Sequence, residues 1–120
     1  MKLNQYRNKI NSTLRKDYDH EQPYIPMGKD FCRAIKNMLK SIFPDAEITD
    51  SKGTYCYASG FLTFKNGKTV YYNFNDFRYR RWDEQILVRT ARDTKDYSGG
   101  CNHYAYGLED IEYQVRTLAR

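Results

Sequence analysis

The chain has 120 residues, of which 20 are Lys or Arg and 15 Asp or Glu, for a formal net charge of +5. That length fits one domain with its own core, and we read residues 1–120 as a single unit. Mean hydropathy is −0.89 and apolar runs are as short as Ile86-Leu87-Val88, which excludes a membrane-spanning helix of about 20 apolar residues. The aromatic share of 16% argues against intrinsic disorder.

The charge is unevenly placed. Residues 1–43 hold nine basic side chains (Lys2, Arg7, Lys9, Arg15, Lys16, Lys29, Arg33, Lys36, Lys40) and four acidic ones (Asp17, Asp19, Glu21, Asp30). The first third therefore carries the whole excess, and residues 44–120 are neutral. A basic segment on a neutral body points to a polyanionic or acidic partner.

In chain order, Leu3, Tyr6, Ile10, Leu14 and Tyr18 recur at helical spacing and predict a first helix over 3–18. Asp19 to Gly28 contains Pro23 and Pro26 and reads as a linker, so that 1–28 packs on or beside the rest. A second helix is predicted from Lys29 to Phe43, stopped by Pro44. Phe31, Ile35, Met38, Leu39 and Ile42 form its apolar stripe. Lys29, Arg33, Lys36 and Lys40 form a row roughly 200° away, and only Asp30 interrupts the sign there. This row is the first candidate binding surface.

The period then changes to two. Glu47–Thr49 predicts a short strand, and Thr54–Phe64 with Thr69–Asn75 predicts a hairpin. Asn66-Gly67 is a strong signal for a two-residue type I′ turn, which needs positive φ at both residues. That turn pairs Lys65 with Lys68, Thr63 with Val70, Phe61 with Tyr72 and Ser59 with Phe74. Both resulting faces are rich in apolar residues. Either helices cover both, or one aromatic face is left for a partner.

Gln85–Ala91 predicts a further strand and Arg92–Tyr106 a polar, glycine-containing loop. Leu108–Ala119 predicts the last helix, with Leu108, Ile111, Val115 and Leu118 inward. The expected fold is α+β: two N-terminal helices, an antiparallel sheet of three to four strands with an Asn-Gly hairpin, and a C-terminal helix. A second basic and aromatic cluster spans Arg78, Tyr79, Arg80, Arg81, Trp82, Arg89, Arg92 and Lys95, and completes the candidate binding residues. Tyr and Arg are the residue types that dominate stacking on bases and hot spots of protein interfaces.

Chemistry finds less support. Cys32, Cys56 and Cys101 form no paired ligand motif, and His20 and His103 are the only histidines, so neither a metal nor another cofactor is expected. The absence of a GxxxxGK[ST] motif removes P-loop hydrolysis. A Cys101–His103 nucleophile pair lacks a group to orient the imidazole, and the leading enzymatic arrangement is a metal-independent nuclease, with His103 as base and Arg92, Lys95 or Tyr97 on the phosphate.

The short chain, rich in Tyr and Asn and asymmetric in charge, resembles small accessory proteins of phages and mobile elements, including inhibitors of CRISPR effectors. Tyr79-Arg80-Arg81-Trp82, Leu87-Val88-Arg89-Thr90-Ala91 and Lys95-Asp96-Tyr97-Ser98-Gly99-Gly100 have the look of a functional signature, one that matches no named family motif. The resemblance implies a non-enzymatic protein that binds a nucleic acid or a nucleoprotein effector. The alternative partner is a host protein with an acidic groove. With no apolar stretch at Met1–Arg7, a cytoplasmic location is expected and no membrane partner is.

Overall fold

The computed structural model describes residues 29–50, 57–75, 86–105 and 108–120. The helix expected over 3–18, its linker, and Arg78 to Trp82 lie outside the described residues.

Helix α1 (Lys29–Ile42) is followed by β1 (Glu47–Asp50), β2 (Tyr57–Thr63), β3 (Thr69–Asn75), β4 (Ile86–Ala91) and β5 (Asn102–Ala105), and then by α2 (Leu108–Leu118). The strands pair antiparallel in chain order, β1-β2-β3-β4-β5. The class is α+β as expected, but the sheet has five strands and not three or four. The fifth lies inside the segment read as a loop. Three of its four side chains face solvent, so the alternation that betrays a strand is missing.

The hairpin also corrects the expected register. Gly67 N–H donates to the Phe64 carbonyl (3.0 Å) and Phe64 N–H to the Lys68 carbonyl (2.9 Å), which closes a three-residue connection. Gly67 has φ +85°, and no other residue type among those described has positive φ, so a type I′ turn is absent. Thr63 therefore pairs with Thr69, Phe61 with Tyr71 and Gly60 with Tyr72, one residue away from the expected pairing. A one-residue slip moves side chains to the opposite face. Ala58, Leu62, Val70, Tyr72 and Phe74 share the core face, while Phe61 and Tyr71 share the other.

Both helices pack on the core face, α1 over β1 and β2, and α2 over β4 and β5. Ile35, Met38 and Leu39 from α1 and Ile111 and Val115 from α2 are fully buried there with Leu62, Val70, Phe74, Ile86 and Val88. These are the stripes whose spacing of three and four predicts them. The end of α2 is tied to its neighbours by two side chains. Arg116 makes a two-pronged pair with Asp45 (3.2 and 3.3 Å) and lies over the rings of Phe43 (5.0 Å) and Phe64 (5.9 Å). The pair is exposed and adds little alone; the guanidinium also covers the two rings.

Asn66 supplies the second tie. Its Nδ2 donates to the Ala119 carbonyl (2.7 Å) at the end of α2, and its Oδ1 accepts from Lys68 N–H (2.9 Å). Asn66→Asp keeps the acceptor, loses the donor and sets a negative charge against the carbonyl end of a helix. The expected loss is about 1–2 kcal/mol, read by urea denaturation, whereas a free turn residue leaves the midpoint unchanged.

Candidate functional site

The basic row on α1 sits as its periodicity requires. Arg33 and Lys40 are exposed and Lys36 is half-buried, on the side of the helix opposite Ile35, Met38 and Leu39. Their spacings of three and four residues bring the three onto one strip of surface. Lys29 begins the helix and occupies the same row by position.

The second cluster is divided by the structure. Arg89, Arg92 and Lys95 lie on β4 and the connector that follows it, and only these three of the cluster fall within the described residues. Arg89 is half-buried and engaged internally. Its Cζ lies 4.7 Å from the Tyr71 ring centroid and its NH2 group donates to the Tyr97 carbonyl (2.6 Å), while its buried Nε–H has no acceptor. Arg92 is 85% exposed along its side chain, with Nε 3.3 Å from Asp96 Oδ2. Lys95 is exposed.

Two aspartates shape the connector. Asp93 Oδ1 accepts from Lys95 N–H (2.8 Å), a local turn of the kind aspartate favours. Asp96 is buried and gathers the backbone N–H groups of Arg92 (3.0 Å), Gly99 (2.8 Å) and Ser98 (3.3 Å). Residue 99 is glycine because a Cβ there would strike the Asp96 carboxylate. Gly100 has φ +77°, and a Cβ would meet the Thr90 carbonyl at 2.5 Å.

The hydrogen bonds from Arg92 and Gly99 hold the Asp96 carboxyl at about 2, below its ordinary 3.8. Because the folded value is depressed, the carboxylate stabilises the fold fully above about pH 4, and that contribution drains away as pH falls toward 2. Asp96→Asn should lower the melting temperature at pH 7 and flatten its decline between pH 4 and 2. Parallel acid profiles of parent and variant would show the carboxylate to be idle. Beside this loop lies an open depression of about 560 Å³ bordered by Thr90, Arg92, Ser98 and Gly100. The amides of Arg92, Ser98 and Gly99 that would greet an anion there are already given to Asp96.

Of the residues weighed for nuclease chemistry, His103 and Tyr97 are set apart. His103 pairs with Val88 and so shares the core side of the sheet, at its edge. The Tyr97 ring lies on the opposite side, 5.1 Å from Phe61 and 5.9 Å from Tyr71. No group of three potential metal ligands occurs among the described residues. No described helix is long and apolar enough to cross a membrane.

What the sequence does not disclose is the sheet face opposite the two described helices. Its rows are Ser59–Asn73–Leu87–Tyr104 and Phe61–Tyr71–Arg89–Asn102. Phe61 and Tyr71 are buried at 1% and 7% exposure, whereas Tyr97 and Tyr104 are 52% and 53% exposed. Tyr104 goes unrecognised in the sequence because the strand carrying it does. Comparisons with protein-family models, curated proteins and solved structures find no match.

Proposed function

We propose that this is a non-enzymatic binding protein that engages a nucleic acid or nucleoprotein through the outer face of α1. The observation that carries the reading is the strip of Arg33, Lys36 and Lys40 opposite the buried stripe of the same helix. Cations on one rigid strip contact phosphates with little regard to sequence, so affinity falls steeply with salt. The separation of His103 from Tyr97 favours a binding role over nuclease chemistry.

The resemblance to small phage and mobile-element proteins extends the proposal to a biological role. Such a protein would inhibit a host defence complex of the CRISPR type by occupying a surface meant for its nucleic acid. Gel shifts with RNA and DNA, single-stranded and duplex, at 50 and 300 mM salt test the first step. Shifts that vanish at the higher salt are expected. No shift at either salt removes the nucleic-acid reading, and a nuclease-resistant protein partner would then favour an acidic protein surface as the target.

A further inference from the structure

Tyr97 and Tyr104 are large aromatic side chains left half in water, on the sheet face away from α1. Across β2 to β5 this face carries no carboxylate among the described residues and a single cation, Arg89. We infer that its β4–β5 side is a second contact surface, which takes unpaired bases of a single-stranded nucleic acid. The inference rests on the nucleic-acid reading above and adds to it both a location and a preference for strand type.

The chemistry of the patch selects that partner. Tyr97 rises over Phe61 and Tyr71, on β2 and β3, and Tyr104 stands on β5. Two interstrand spacings, about 10 Å, separate Tyr71 from the edge strand. Arg89 on β4 lies in the row between them, its guanidinium stacked on Tyr71 and anchored to the Tyr97 carbonyl. A planar cation fixed beside Tyr97, on the strand next to the one that carries Tyr104, suits a chain that alternates flat bases with negative phosphates. Asn102, exposed in the same row, offers an amide for base edges. Bases in a duplex are already stacked and turn only their edges outward, so the rings have no face to receive. Exposed Lys95 and Arg92 on the adjoining connector add positive charge near the Tyr97 end.

The test uses the full chain and fluorescence anisotropy with two labelled probes, a single-stranded oligothymidylate and a blunt DNA duplex. Tyr104→Ala is expected to weaken the single strand at least about 5-fold and to leave the duplex unchanged, with Tyr104→Phe restoring the parent value. Tyr97→Ala should act in the same direction, and a melting curve checks that Phe61 and Tyr71 remain packed. Equal loss on both probes, or no loss from Tyr104→Ala while the parent binds, overturns the stacking surface and leaves the α1 reading standing. Failure of the parent to bind either probe at low salt overturns both. Release of a protein partner by Tyr104→Ala, with oligonucleotide binding untouched, also overturns the proposal by making the face a protein-docking surface.

Discussion

Gly60→Val is expected to destabilise the fold by about 3 kcal/mol, although valine is among the best strand formers and glycine among the poorest. Gly60 lies within β2, paired with Asp50 on one side and Tyr72 on the other. A Cβ at this position would run into the Thr49 carbonyl oxygen and stand 2.7 Å from the Tyr72 hydroxyl. The Tyr72 ring is 2% exposed and packed in the core with Phe74, 6.0 Å away, so it has no room to withdraw. The carbonyl belongs to the edge strand β1, and displacing it weakens the pairing that seats β1 beneath α1. Urea denaturation reads the effect as a lower midpoint at unchanged slope. In a Tyr72→Leu background the milder Gly60→Ala should cost less than in the parent, because one of its two obstacles is gone. A stabilising Gly60→Val would show that strand propensity outweighs the close approach.

The second large effect concerns binding. Arg33→Glu, Lys36→Glu and Lys40→Glu together are expected to reduce polyanion affinity by several hundred-fold at 0.1 M salt. Each cation that neutralises a phosphate contributes about 0.9 to the slope of log affinity against log salt, hence about a factor of eight at that concentration. Removing three such cations gives the stated figure before any repulsion from the new carboxylates. The fold should barely notice, since substitutions on the solvent side of a helix stay within about 0.5 kcal/mol. A melting temperature near the parent's therefore separates lost binding from a damaged fold. Unchanged affinity in a folded triple variant would move the proposed contact away from α1.

Much of the architecture can be read from periodicity. The stripe of Ile35, Met38 and Leu39 and that of Ile111 and Val115 both announce their helices, and the core uses them as their spacing directs. The same spacing places Arg33, Lys36 and Lys40 outward, so the α1 surface is legible from residue spacing alone. The sheet is less so. Asn66-Gly67 correctly signals a hairpin, yet the turn that forms puts only Gly67 at positive φ and shifts the register by one. A local dipeptide preference cannot choose between two- and three-residue connections when both strands are apolar on both faces. The turn that forms also lets Asn66 cap the Ala119 carbonyl, fifty-three residues away.

That single slip decides which aromatics are core and which face away from the helices. With the expected pairing, Phe61 and Tyr72 share a side. In the structure Tyr72 enters the core, and Phe61 joins Tyr71, Tyr97 and Arg89 on the other face. The role of Asp96 is equally hidden. Its carboxylate organises a connector through backbone amides, and only the pair of glycines after Ser98 hints that something must pass close to the chain.

The claim on which the rest depends is that α1 presents its cations to phosphate. The most direct measurement is the dissociation constant for one labelled oligonucleotide across 50 to 300 mM salt, for the parent and for the triple variant of Arg33, Lys36 and Lys40. A steep log–log line is expected for the parent, with a slope smaller in magnitude by about 3 for the variant. Parallel lines for the two proteins, or a parent affinity that does not change with salt, would contradict the claim.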